Sequence, residues 1–372
     1  MNKINFKCFE QGNNTDMFIT GDFPSKYSND KTPYIADSVF CNISTLEEAS
    51  FASASYIGSF AFNNCLNLKS INAPECKVLK YGVFMNDYNV EHISFPKLES
   101  VGDYAFCFYS NSVKLSSITL PECTYVGQAA FANNQQLTYI SLPKCESISS
   151  EAFLYCTILS EIDLPNCVSI DGLAFSDCSS LARISVPNLK YLGRGVFSGC
   201  RLLSEFVAPE LLSVSDATSP MFSYCSNLTK FHADKLTSIT QYFFSDCSKL
   251  SDISMENVVT VSNYAFRKCS SLGPILEFPS LENVGSYAFT SCYSLEKLFL
   301  PVVKDIQHFP LYDCSNMKEL HMSQIVSVPS LNDYDFGYNV SLTHIYVPAS
   351  LVTAFQTATN WSRHSSIISG IY

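Results

Sequence analysis

The chain has 372 residues, of which 47% are hydrophobic and 15% charged, with a formal net charge of −11. That apolar content suits a large packed core rather than a disordered chain. The acidic balance, without any Lys/Arg run, argues against nucleic acid as a partner, and no apolar run approaches the ~18 residues of a membrane helix.

Residues 1–34 lie outside any repeating pattern. Ile4, Phe6 and Cys8 alternate, and Gly12-Asn13-Asn14 offers a turn before residues 17–20. A β-hairpin covering the first repeat is expected there. Residues 1–10 lack the cationic start and apolar middle of a secretory signal. Surface or extracellular placement is nonetheless the expectation, by a route that this segment does not reveal.

From residue 35 to 348 the phenylalanines mark a repeat. Phe40, Phe62, Phe84, Phe106, Phe131, Phe153, Phe175, Phe197, Phe222, Phe244, Phe266, Phe289 and Phe336 form one series, with Leu311 in one place. Of the thirteen intervals, nine are 22 residues, one is 23 and three are 25. Counting each anchor as zero, +6 holds Leu68, Leu159 and Leu181, +9 holds Ile71, Ile140 and Ile162, and +11 holds Phe95, Leu142 and Leu164. Apolar +9 and +11 alternate with polar +8 and +10, the period of a half-buried strand. Proline at +12, as in Pro74, Pro96 and Pro165, lacks the N–H that a ladder needs and ends the strand.

A unit with one strand cannot bury its apolar side alone, so copies must stack. The expected fold is an α/β repeat protein: a solenoid of about 14 coils, with a parallel β-sheet on its concave face and few or no long helices. One elongated domain is expected, with caps at 1–34 and 349–372. Three units carry three extra residues, near 111–113, 216–220 and 329–333.

The spacing Leu-x-x-Ile-x-Leu-x-x-Cys over residues 159–167 resembles the leucine-rich repeat. Ala174-Phe175-Ser176-Asp177-Cys178-Ser179-Ser180-Leu181 resembles more specifically the BspA-type subclass, over roughly residues 39–348. That subclass includes bacterial and protist surface proteins, often attachment proteins, so the resemblance implies a binding role without naming a ligand.

Nine cysteines sit at +3, and Cys76, Cys123, Cys145 and Cys167 occupy +14, where other units place aliphatic residues. Neighbours in a column would stand about 5 Å apart and point the same way, whereas a disulfide needs Cβ atoms ~3.5–4.5 Å apart. Buried free thiols are therefore the favoured reading. Neither the 22-residue spacing nor any His/Cys set suggests zinc, and no cofactor is expected.

Positions +8 and +10 should face solvent. The C-terminal third gathers Lys297, Phe299, Glu319, His321, His344 and Tyr346 there, and four of the six histidines fall on this face. Two readings stand: a partner-contact patch of aromatics beside charges, or the ordinary decoration of exposed strands. Glu161 and Asp163 would lie about 7 Å apart on one strand. No Ser/His/Asp arrangement, phosphate loop or cofactor fingerprint accompanies them, so no enzyme is expected.

In the tail, Leu351, Phe355 and Ala358 share a helical face after Ser350 as a candidate N-cap, and Trp361 would close the end. The segment also resembles tails of some Firmicute and phage repeat proteins. The leading expectation is an adhesin engaging a protein or a glycan at a cell surface. The alternative is a structural or host-recognition component of a phage particle or other assembly.

Overall fold

The computed structural model describes residues 4–10, 13–19, 23–108, 113–215, 220–331, 336 and 341–372, with the side chains of 4–19 outside the description. Contacts divide the chain into two compact units, Met1–Pro187 and Asn188–Tyr372. Both are parallel β-solenoids built on the same coil.

Each coil closes through a run of tight turns whose positions follow from the residues. In the coil anchored on Phe62, the strand Ser70–Asn72 buries Ile71 and turns Ser70 and Asn72 outward. The Cys76 N–H then bonds Ala73 O across a turn with Pro74 as its second residue. Proline thus ends the strand and also supplies the φ that this turn position requires. A second, two-residue strand follows, Val78–Leu79, which buries Leu79.

The anchor lies among turns rather than strands. The Phe62 ring is fully buried, while Phe60 and Asn64 on either side have φ of 57° and 62°. This left-handed pair recurs at −2 and +2 along the chain, on Glu151 and Tyr155 and on Tyr264 and Lys268. Such backbone is uncommon for side-chain-bearing residues. Its recurrence is repaid by hydrogen bonds: the N–H groups of Phe60, Phe62 and Asn64 bond Tyr81 O, Val83 O and Met85 O of the next coil. The intervening N–H groups of Ala61, Asn63 and Cys65 close local turns onto Gly58, Phe60 and Phe62. No donor in this stretch is left over, which is what burial demands.

In the first unit, eight strands of the longer kind run from Lys26–Ser28 to Arg183–Ser185. The first four form one parallel sheet. Ser117–Thr119 then pairs with Tyr139–Ser141, and Glu161–Asp163 with Arg183–Ser185. The ladder starts at Lys26–Ser28, one strand before the expected boundary at residue 35. Before it, Ile4–Glu10 and Asn13–Ile19 form the expected antiparallel hairpin.

In the second unit, Glu205–Val207, Lys230–His232 and Asp252–Ser254 form a three-stranded sheet. A five-stranded sheet follows, from Ile275–Glu277 to Ile368–Ile371. The tail differs from expectation in two ways. Ser350 lies in a 3₁₀ turn and makes no capping bond, and the α-helix starts two residues later, at Val352–Thr357. The chain then returns to add Ile368–Ile371 beside His344–Pro348. Trp361 is buried, and its indole N–H bonds Pro329 O at 2.9 Å.

The anchor rings form a spine within each unit. Phe40, Phe62, Phe84, Phe106, Phe131, Phe153 and Phe175 stack with centroids 5.0–5.4 Å apart and planes within 12°. In the second unit Phe197, Phe222, Phe244, Phe266 and Phe289 continue at 5.2–5.8 Å. Each such pair contributes about 0.5–1.5 kcal/mol beyond the area it buries.

Of the three inserted segments, residues 111–112, 216–219 and 332–333 lie outside the described residues.

Candidate functional site

The +3 cysteines have a specific task. Cys156 Sγ donates to Phe131 O of the preceding coil at 3.1 Å, Cys178 to Phe153 O at 3.1 Å, and Cys247 to Phe222 O at 3.0 Å. A small buried residue with a weak donor answers a carbonyl that has a lone pair to spare. Asn134 takes a thiol's place in one coil and donates to Phe106 O at 2.8 Å. The +14 thiols instead bond locally, as Cys123 does to Tyr125 O at 3.2 Å. Burial pushes Cys123 up to about 11 and Cys76, Cys167 and Cys314 to about 12. These sulfurs stay protonated and inert at neutral pH, so their role is packing rather than chemistry.

The outward columns are what the coil offers to a partner. Charges there pair coil to coil at equal positions: Lys69–Glu47 at +7 (2.6 Å), Arg183–Glu161 at +8 (2.8 Å), Lys97–Glu75 at +13 (2.7 Å) and Lys77–Glu99 at +15 (2.8 Å). Exposed pairs of this kind contribute little to stability, being screened by solvent. They balance charge locally, beside the longer strand at +7 and +8 and in the turn after it at +13 and +15.

The six residues singled out in the sequence stand on three neighbouring strands of the second unit. Lys297–Phe299 pairs in register with Glu319–His321, which pairs with His344–Pro348. The register sets Phe299 beside His321 and His321 beside Tyr346. Their rings form a column with centroids 4.2 and 4.5 Å apart, inclined by 15° and 25°. His344 lies parallel to Tyr346 at 5.5 Å, and its Nδ1 is 3.0 Å from Thr343 Oγ1.

Glu319 joins this column to the charged position beside it. One carboxylate oxygen is 2.9 Å from His321 Nε2, and the other is 3.0 Å from Lys297 Nζ. Bonds from His321 and Lys297 hold the Glu319 carboxyl below the usual carboxylate range. Lys297, Phe299, Glu319, His321 and Tyr346 are half-buried, and His344 is exposed. The patch is thus a fixed surface, its aromatic edges held by neighbours and its acid and base already matched.

Sequence reasoning missed a second kind of feature. The longer-strand ladder is interrupted between His92–Ser94 and Ser117–Thr119, between Tyr139–Ser141 and Glu161–Asp163, and between Asp252–Ser254 and Ile275–Glu277. A hollow opens at each interruption, of about 410, 160 and 280 Å³ respectively. The first and third coincide with changes in repeat length, the one usable signal. The second falls inside an ordinary 22-residue interval.

The chain matches the family described as BspA type leucine-rich repeat region through residues 2–108, 105–229, 174–276 and 237–363. No curated protein matches it. A leucine-rich repeat protein from Bacteroides ovatus is similar in structure over 100% of this chain and 99% of that one, at 22% identity and a TM-score of 0.74. A leucine-rich cell surface protein from Faecalibacterium prausnitzii aligns over 98% of this chain and 96% of that one, at 18% identity and a TM-score of 0.37. The pneumococcal vaccine antigen PcpA aligns over 95% and 89%, at 18% identity and a TM-score of 0.44.

Proposed function

Because the chain belongs to the BspA-type leucine-rich repeat family, we propose that it is a non-enzymatic binding protein that attaches to a protein or glycan partner at a cell surface. The observation that carries this reading is the ring column Phe299–His321–Tyr346, flanked by Lys297 and Glu319 on one register of strands. Half-exposed aromatics held rigid by neighbours lose little conformational entropy when a partner covers them, and aromatic residues dominate binding hot spots. The same arrangement suits catalysis poorly. Glu319 is already bonded to a base and a cation.

The test is retention of the full chain on immobilised extracellular-matrix proteins and oligosaccharides. Phe299→Ala and Tyr346→Ala should weaken any binding at least tenfold while leaving the thermal transition in place. An equal loss from Ser70→Ala and Asn72→Ala would move the contact away from the patch. No retention above background on either class of probe would overturn the binding reading.

A further inference from the structure

We infer that the hollow between Tyr139–Ser141 and Glu161–Asp163, in the first unit, is a subsite for one neutral hexose residue of a glycan. The inference rests on the binding reading above but uses a different place on the molecule.

The hollow owes its existence to the backbone. Tyr139–Ser141 bonds only the strand before it, and Glu161–Asp163 only the strand after it, Arg183–Ser185. Their facing edges therefore keep donors and acceptors free of ladder bonds, at the floor of a space of about 160 Å³. Around that floor stand three kinds of side chain. Tyr139 is 49% exposed, so its ring is open to stacking. Arg183 and Glu161 bond each other across adjacent strands at 2.8 Å. Asp163, two residues beyond Glu161 on the same exposed face, forms no hydrogen bond or ion pair among the described residues.

Each element matches a part of a pyranose. The ring of a hexose offers an apolar C–H face, which an aromatic face covers, and vicinal hydroxyls, which a free carboxylate accepts as a pair. Guanidinium N–H groups not used by Glu161 can donate to hydroxyl oxygens, since Arg carries five donors and Glu161 occupies one. A peptide anchor would instead need a deep desolvated pocket for an aromatic or aliphatic side chain. This hollow is open and mixed in character, with Ile140, Pro143 and Ile162 beside Tyr139 and the polar Ser141, Glu161, Asp163 and Arg183 around them, as suits a ring with one apolar face and a rim of hydroxyls.

The charge balance selects the type of sugar. Glu161 neutralises Arg183, Asp163 is uncompensated, and the chain as a whole carries −11. An anionic sugar would meet repulsion without a free cation to answer it. A neutral hexose or N-acetylhexosamine meets none.

The experiment titrates the full chain with neutral oligosaccharides of glucose, galactose, mannose and N-acetylhexosamines, and with sialylated and uronate-containing counterparts. At least one neutral series should bind and the acidic series should not. Tyr139→Ala should weaken that binding tenfold or more and Asp163→Asn at least threefold, while Tyr139→Phe, which keeps the ring, should bind as the parent does. Circular dichroism and the thermal transition of all three should match the parent. If neutral sugars bind equally well to Tyr139→Ala and Asp163→Asn, the subsite is elsewhere and the inference falls. If no neutral sugar binds while a matrix protein is retained through Phe299 and Tyr346, the inference falls and the binding reading stands. A peptide that binds in the hollow and depends on Tyr139 would also overturn it.

Discussion

The carboxylate of Asp37 accepts the N–H of Ser59 in the next coil at 2.7 Å and fills the space above Gly58, where an added Cβ would come within 2.4 Å of Asp37 Oδ1. The same couple recurs in two other places. Asp103 bonds the N–H of Gln128 beside Gly127, and Asn263 bonds the N–H of Ser286 beside Gly285. Gly102 is crowded in the same way with no such side chain present, an added Cβ there coming within 2.6 Å of Leu79 O and Lys80 O, while other coils place Lys80, Ser149 or Asp171 at this position. The glycine is thus required by the close approach of the preceding coil, whose backbone and Asp or Asn side chain both come within 3 Å of an added Cβ at Gly58, Gly127 and Gly285, not by its own torsions.

Gly58→Ala is accordingly expected to cost about 1–3 kcal/mol, the usual range for overpacking a tight contact. Part of that cost should vanish in an Asp37→Ala background, where the carboxylate is gone, although the Asp37 and Ala36 backbone at 2.7–2.8 Å still presses on the new methyl. Urea unfolding of the two single variants and the double variant measures the coupling. Additive effects would show that the carboxylate and the glycine are independent.

Asp87 stands in the +3 column among the thiols, fully buried, with Oδ1 accepting the Cys65 N–H at 2.6 Å and Oδ2 unbonded. Burial raises its pKa well above the ordinary carboxylate value. An acid whose folded pKa is raised adds no penalty below its unfolded pKa of about 3.9. Stability then falls as pH climbs from there toward the folded pKa, because only the unfolded chain ionises freely. Asp87→Asn should therefore raise the thermal midpoint at pH 7, with a gain that shrinks toward zero near pH 4. Asn134 already shows that an amide fits this column. A gain that is constant with pH, or a loss at pH 7, would contradict a neutral buried carboxyl.

Among the described cysteines, Cys41 is half-buried and the other fourteen are buried. Brief alkylation of the native protein should modify Cys41 and leave those fourteen untouched, as read by mass spectrometry of peptides. They should become reactive only over the denaturant range in which their own unit unfolds. Modification of Cys156, Cys178 or Cys247 in native buffer would refute the thiol-to-carbonyl packing.

Much of this architecture is visible in the chain itself, for a physical reason. A spine that stacks identical rings needs the same ring at every coil, so Phe62, Phe84 and Phe106 advertise the interval directly. The longer strands are legible because three residues suffice to alternate, as in Glu161-Ile162-Asp163, and Pro marks where they stop. The outward direction of Phe299, His321 and Tyr346 followed from that alternation, and their mutual stacking follows from register.

The second ladder escaped notice because pairs such as Val78–Leu79 are too short to show any period. The turns around the anchors were half hidden: after the ring, left-handed backbone falls on Asn42, Asn64, Asn86 and Asp177, which suit it, but before the ring it does not. There it falls on Phe60, Tyr104 and Glu151, residues that carry no turn signal of their own, and hydrogen bonds between coils hold them in place. The hollow at Tyr139 depends on a separation between strands that the regular interval conceals.

The turn side of the coil also has a direction. Within each unit anchor N–H groups point toward the higher-numbered neighbour, from Phe40 to Ala61, Phe62 to Val83 and Phe153 to Ala174, and again from Phe222 to Phe243 and Phe266 to Ala288. Peptide dipoles aligned in file add up, as they do along an α-helix. Each unit therefore resembles a weak bar magnet in electrical form. Its turn side is polarised positive toward the later coils and negative toward the earlier ones, a bias that comes from the main chain and survives any change of surface side chains.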